Sequence, residues 1–250
     1  MSTVQSAESV RRLPDAAIVE LRQYTLHPGQ RDVLIELFDR EFIETQEAAG
    51  MTVIGQFRDL DRPDCFVWLR GFHDMPSRRA ALTAFYDGPI WRAHVAAANR
   101  TMIDSDNVLL LEPASSETMF PPAPRAGTGA AAADTGLIVA TIYYPRPDAK
   151  DFAAFFARSV RPVMIAAGAA IVAEYSTSAH ANDFRLPVRE GEHAFVWFAR
   201  LRAASAYEAY RTSLAGKAGW RGAAAQLEAQ LVRPTETLRL VPTPRSRLRG

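Results

Sequence analysis

Alternation of apolar and polar residues marks the first element of the chain. In IVELRQYTL (18–26), Ile18, Glu20, Arg22 and Tyr24 fall on one face of a strand, and Val19, Leu21 and Gln23 fall on the other. His27-Pro28-Gly29 closes that strand. Leu34, Leu37, Phe38 and Phe42, spaced by three and four, then give a helix one apolar stripe, and Gly50 ends it. MTVIGQF (51–57) and CFVWLRGF (65–72) have strand composition and are separated by a turn-rich connection. SRRAALTAFY (77–86) predicts a short helix that Asp87-Gly88 stops and Pro89 restarts, with the second piece running to about Ile103. NVLLLEP (107–113) is the closing strand.

The plan then repeats. FVW at 66–68 recurs at 195–197, Trp91-Arg92 recurs at Trp220-Arg221, and Leu109, Leu111 and Pro113 recur as Leu238, Leu240 and Pro242, all 129 positions on. A spacing held across separate elements points to duplication. The opening strand matches IVATIYY (138–144) at 120 positions, which places about nine extra residues in the second copy, within SAHANDFRLPVREG (178–191). Each copy therefore predicts strand, helix, strand, strand, broken helix, strand, the order of a ferredoxin-like α+β unit. Such a unit leaves one sheet face bare. Two copies in one chain can cover both bare faces by forming a barrel of the dimeric α/β-barrel type. The expected divisions are a first unit at 16–114, a Pro/Ala/Gly-rich linker at 115–136, whose core is FPPAPRAGTGAAAADTG (120–136), and a diverged second unit at 137–243.

VELRQYTLHPGQ (19–30), followed by GQF, FVWLRGF and GPIWRAH, resembles the NIPSNAP family. The resemblance spans about 95 residues of the first copy; the second keeps FVW and WR but lacks the family's opening. It implies a ferredoxin-like, dimeric α/β-barrel fold. Related barrels include cofactor-free monooxygenases, isomerases, haem enzymes and proteins without known chemistry, so the resemblance does not choose a reaction.

Composition narrows the functional classes. A net charge of +1, from 29 basic and 28 acidic residues spread along the chain, gives no field to attract nucleic acid or an anionic membrane. The basic end PRSRLRG (244–250) is expected to be a solvated terminus. Cys65, the single cysteine, excludes an internal disulfide and belongs to a buried strand. The absence of a long apolar run predicts a cytoplasmic location. No histidine pair has helical metal-site spacing, so neither a metal nor another cofactor is expected, although His193, just before AFVWF, is the residue of the second copy best placed to serve a haem.

Comparison of the copies locates the candidate chemistry. Glu20, Arg22 and Arg70 appear only in the first copy, where the 120-position match sets Ala140 and Ile142 against Glu20 and Arg22, and Arg70 meets Ala199. Charges on a covered strand need partners or a ligand. The Glu20–Arg22 pair can satisfy itself; equally, Arg22 can orient a small anionic or carbonyl-bearing molecule. On the second reading Tyr24 donates a hydrogen bond, Glu20, His73 or His94 is the acid/base, Arg70 joins Arg22 in binding, and Trp68 and Trp91 are walls. The Trp-Arg pair, kept in both copies, is expected to be architectural. The sequence leaves open an enzyme, a binder or a structural interaction module, and is compatible with a homo-oligomer.

Overall fold

Eight strands close into one antiparallel barrel in the order β1-β3-β2-β8-β5-β7-β6-β4. The computed structural model describes residues 16–127, 136–149 and 151–250. In chain order the first half contains β1 (Ile18–Leu26), α1 (Arg31–Leu37), α2 (Ile43–Ala48), β2 (Thr52–Asp59), β3 (Cys65–Phe72), α3 (Met75–Tyr86), α4 (Pro89–Asn99) and β4 (Met102–Pro113). The second contains β5 (Leu137–Tyr143), α5 (Phe152–Phe155), α6 (Arg161–Ala166), β6 (Ala170–Thr177), β7 (Phe195–Leu201), α7 (Ala204–Ala215), α8 (Trp220–Ala229) and β8 (Glu236–Pro242). Two short seams join the halves: Phe57–Asp59 of β2 pairs with β8, and Leu111–Pro113 of β4 pairs with β6.

The alternation along β1 divides two cores. Val19 and Leu21 point into the barrel, where they pack with Phe57, Leu69, Ile142, Phe198 and Leu240. The apolar sheet faces thus cover one another within one chain, at about 1.5–3 kcal/mol for each large side chain removed from water. On the outer face, Tyr24, Phe66 and Trp68 pack against Phe38, Phe42 and Phe85 of the first-half helices. Tyr143, Phe195 and Trp197 pack against Phe156, Tyr210 and Leu214 in the second half. Cys65 is free and buried.

Between α1 and α2, residues Phe38–Phe42 form a π turn, and Phe156–Val160 form another between α5 and α6. The wider turn brings Phe38 and Phe42 together onto the sheet, their ring centroids 6.0 Å apart. Such turns mark functional sites in many proteins; its presence in both halves makes it a property of the framework here. At the α3–α4 break, a Cβ on Gly88 would lie 2.8 Å from the Ala84 carbonyl oxygen, so glycine permits the tight approach that lets Pro89 start a new helix.

Three expectations need correction. The α4 helix ends at Asn99 instead of near Ile103, because Thr101 turns the chain, accepting from the His27 amide and donating its hydroxyl to the Ala98 carbonyl, and Met102 pairs with Leu26. The second correction is one of register: Arg22 pairs with Trp68 and Thr141 with Trp197, so the counterparts of Glu20, Arg22 and Tyr24 are Val139, Thr141 and Tyr143. The 120-position match is one residue out, and a one-residue slip exchanges the faces of a strand; Ala140 and Ile142 are barrel interior.

The third is the C-terminal segment. Leu248 is buried in the barrel core, Ser246 is fully buried, and Arg245 and Arg247 pair with Glu44 and Glu47. It closes one end of the barrel, where Arg125 also meets Glu47 and the Arg245 carbonyl. Within the expected linker, Phe120 packs on Tyr175 and Phe198, while 128–135 lies outside the described residues. Among the described residues, no helix is long and apolar enough to cross a membrane.

Candidate functional site

Glu20 on β1 is fully buried and is the hub of a charged network on the helix side of the first half. Three guanidinium groups reach its carboxylate: Arg22 Nη1 at 2.6 Å and Arg70 Nε at 2.7 Å to Oε2, and Arg78 Nε at 2.8 Å to Oε1. Arg22 and Arg70 come from the adjacent strands β1 and β3, and Arg78 from the first turns of α3. That helix starts at Asp74, whose side chain accepts from the Ser77 amide, with Pro76 in the first turn. Arg78 also donates to Asp183 at 2.6 Å and Asn182 at 3.1 Å, both on the 178–194 connection between β6 and β7. The added length of the second half, which the sequence located there, crosses over the first half's charges. Phe184 follows it, 5.9 Å from the Tyr86 ring.

Burial acts to raise the Glu20 pKa, but Arg70, Arg22 and Arg78 outweigh it and hold the carboxyl well below the usual carboxylate range. Burial pulls the Arg22 pKa down, and Tyr24 and Glu20 more than restore it, so Arg22 remains charged. Burial raises the Tyr24 phenol, against the lowering effect of Arg22. The Tyr24 hydroxyl accepts from Arg22 Nε at 2.9 Å and retains its own proton to donate. Three guanidiniums face two carboxylates, Glu20 and Asp183, which leaves the cluster one positive charge in excess.

Beside this cluster lies a cavity of about 30 Å³, enclosed by Tyr24, Phe38, Phe42, Trp68, Tyr86 and Trp91 among others. That is room for about one water-sized group. Trp68 is 2% exposed, and its indole N–H has no hydrogen-bond partner among the described residues. Tyr24 and Trp68 stand edge to face at 5.9 Å, and Trp91 closes the outer side against Phe42 at 5.5 Å and Tyr86 at 4.8 Å. Arg22 and Arg70 lie over the Trp68 ring at 5.5 and 5.1 Å.

The structure brings together Glu20, Arg22, Tyr24, Trp68, Arg70 and Trp91 from the sequence-derived set. It does not bring the histidines to them. His73 is 68% exposed at a strand end, 3.2 Å from Asp74. His94 is one layer out, packed on Phe42 and 3.6 Å from Glu41. Both face away because the strand–helix turn and the outer side of α4 leave the cavity to aromatic rings. Arg92 is exposed and donates to the Asp87 carbonyl; within the Trp-Arg pair, the tryptophan does the packing. Sequence reasoning missed Arg78, Asp183, Gln46 and Tyr86. Gln46 and Tyr86 receive Arg70 Nη1 at 3.4 and 3.3 Å. Arg78 could have been found as a first-half charge whose counterpart at 129 positions is Tyr207.

The corresponding space in the second half is a cavity of about 230 Å³, with Tyr143, Trp197 and Trp220 where the first half has Tyr24, Trp68 and Trp91. Neither cavity includes a histidine in its lining; His193 is exposed on the β6–β7 connection, where it lines a separate cavity of about 480 Å³ together with His180. Among the described residues, no three His, Cys, Asp or Glu side chains gather as metal ligands.

The NIPSNAP family pattern matches residues 19–117. Among solved structures, a Fusobacterium nucleatum protein provisionally assigned as a monooxygenase shares 10% identity over 94% of this chain and 96% of its own, with a TM-score of 0.61. An anthrone oxidase-like protein shares 15% identity over 92% of each chain, with a TM-score of 0.60. A NIPSNAP family protein of unknown function from Agrobacterium tumefaciens shares 17% identity over 40% of this chain and 89% of its own, at a TM-score of 0.37. No curated protein matches the sequence. The match over residues 19–117 supports a ferredoxin-like barrel superfamily, and at these identities the two full-length likenesses speak for the fold alone.

Proposed function

We propose that the chain is a tandem of two ferredoxin-like units whose first unit binds a small anionic or carbonyl-bearing molecule between sheet and helices. The carrying observation is the buried Trp68 N–H without an acceptor, at a cavity flanked by the excess positive charge of the Arg22, Arg70 and Arg78 cluster. An oxygen of the ligand takes the place now open beside Trp68 and Tyr24, and accepts from the indole and the phenol. Arg22 acts behind Tyr24, polarising its O–H. The remainder of the ligand occupies the side now closed by Trp91, which must swing outward.

The site favours negative charge on an oxygen but contributes no base: its lining has neither carboxylate nor imidazole. Binding is therefore the function proposed, and oxygenase activity, suggested by the names of similar barrels, would require a ligand that supplies its own reactivity. An oligomer would use helical surfaces, since the sheet faces are already covered. A non-catalytic framework is the competing reading, favoured by Glu20's full complement of arginine partners.

Calorimetric titration with benzoate and acetophenone tests the assignment. Arg22→Thr, the second half's own choice at this position, should weaken both by at least about tenfold while the fold is retained. Unchanged affinity in a folded R22T protein, or no saturable binding by the wild type, rejects the first-unit site and leaves the framework reading.

A further inference from the structure

The second half retains the aromatic frame of the first without its charges, and the space it encloses is larger. Tyr143, Trp197, Tyr207, Tyr210 and Trp220 surround about 230 Å³, with Leu214 and Leu227 among the apolar walls. Thr141 and Val139 stand where the first half has Arg22 and Glu20, and Tyr207 stands at the position of Arg78. The difference in size follows from the barrel seams. The 178–194 connection folds over the first-half site through Asp183 and Phe184, whereas its counterpart between β2 and β3 is only residues 60–64. That short connection reaches Arg239 through Asp61 and stops at the rim, where Arg239 lies 5.8 Å from the centre of the Tyr207 ring.

Two polar groups in this space lack acceptors. Tyr210 is 8% exposed and its hydroxyl has no hydrogen-bond partner among the described residues. The Trp197 indole N–H faces the Tyr143 hydroxyl but makes no well-aligned bond. Leaving a buried donor unpaired is costly, and nothing in an apolar framework requires a phenol there. Charges are confined to the mouth, where Arg211 faces Glu208 at 3.6 Å and Glu228 is exposed.

We infer that the second half holds a separate ligand site for an uncharged, roughly bicyclic aromatic molecule with one carbonyl or ether oxygen, stacked among the tyrosines and tryptophans and accepting from Tyr210. The size admits two fused rings, and the lining charges, Arg211 and Glu228, are of opposite sign and sit at the mouth, with Arg211 already facing Glu208, so a carboxylate among the rings would enter without a free counter-ion. Ala224, on α8 at the cavity wall, is the point at which a large side chain fills the space.

Calorimetry with 1-tetralone, naphthalene and 1-naphthoate tests the assignment in the full chain. The wild type should bind 1-tetralone more tightly than naphthalene and show no preference for 1-naphthoate. Tyr210→Phe should weaken 1-tetralone by roughly 3- to 10-fold and leave naphthalene unchanged, which removes the preference while keeping the ring packing. Ala224→Phe should abolish binding of both, with the circular dichroism spectrum and melting temperature retained. Undiminished 1-tetralone binding in a folded A224F protein, tighter binding of 1-naphthoate, or no saturable binding of 1-tetralone by the wild type overturns the inference. If A224F does not fold, Y210F decides: an unchanged 1-tetralone preference overturns it.

Discussion

Replacing Glu20 by Gln removes the charge that holds three buried guanidinium groups together. In the native protein the carboxylate accepts from Arg22, Arg70 and Arg78 at 2.6, 2.7 and 2.8 Å, and its side chain is fully buried. A glutamine with its carbonyl oxygen in the Oε2 position still accepts from Arg22 and Arg70, but each of those bonds weakens by about 1 kcal/mol without the carboxylate charge, and its amide nitrogen meets Arg78, whose charge-assisted bond of about 1.5–3 kcal/mol loses its acceptor. Breaking a buried ion pair by removing one partner costs about 3–5 kcal/mol, in agreement with that estimate. Against a urea dependence of about 3 kcal/mol per molar, the E20Q unfolding midpoint should fall by about 1–1.7 M, with the slope unchanged.

The pH dependence follows from the direction of the Glu20 shift. Its folded pKa lies below the unfolded value, so the stabilisation is fully present above about pH 4.3 and is lost as pH falls through the folded value. The gap between wild type and E20Q should therefore be constant from pH 7 to 5 and narrow below about pH 4. The replacement set of the second half, E20V/R22T/R70A/R78Y, removes donors and acceptor together and should recover at least half of the loss, because Val139, Thr141, Ala199 and Tyr207 fill the equivalent positions without charge. An E20Q midpoint within about 0.3 M of wild type at pH 7 would refute the argument, since roughly 1 kcal/mol is too little for a hub of three arginines.

Asp39 in the first π turn is pushed up to about 6 by burial, despite Arg245, Arg125 and Arg58, so its ionisation opposes folding as pH rises from about 4 to 6. Asp39→Asn should raise the melting temperature at pH 8, by the equivalent of about 1 kcal/mol given the site's partial exposure, with little effect at pH 4. Leu248→Ala should cost about 2–4 kcal/mol in urea unfolding, since Leu248 is 3% exposed in the barrel core; a change below about 0.5 kcal/mol would return the C-terminal segment to the solvent. Arg92→Ala should change stability by no more than about 0.5 kcal/mol, whereas Trp91→Ala, which opens the first cavity and strips packing from Phe42 and Tyr86, should cost about 2–4 kcal/mol in the same assay.

The barrel was legible because its signals are periodic and duplicated. Alternation in β1, the repeated FVW and the break at Gly88-Pro89 each fix a face or a boundary locally. The aromatic walls Trp68 and Trp91 were legible for the same reason, as landmarks kept in both halves. Register was not, because apolar residues occupy both faces of β5 and the IV pair at its start fits either alignment; only cross-strand pairing to β7 decides. The role of the last seven residues was hidden by composition. PRSRLRG has the charge of a solvated tail, and its anchors are acidic residues of α2, remote in sequence, together with a single leucine. Arg78 was hidden by its helix, where one arginine in a polar first turn gives no sign that its partner lies on a connection 105 residues away.

The asymmetry of the halves has a topological cause. In a barrel whose order is β4-β1-β3-β2 followed by β8-β5-β7-β6, the end of β6 lies beside β4, so the connection leaving β6 passes over the helices of the other half. Asp183 and Phe184 of that connection reach the first half, while Arg189 and Glu192 hold its return to their own half at Tyr144 and Arg233. Asp183 then supplies the second carboxylate that lets Arg78 stay buried, and Phe184 covers Tyr86, so the lid and the charge cluster have become mutually dependent. The second half has no lid of that length and lacks the three counterpart charges at Val139, Thr141 and Ala199; its space remains wide and neutral. The barrel thus carries two like aromatic chambers, one compact and charged beneath a long connection and the other open.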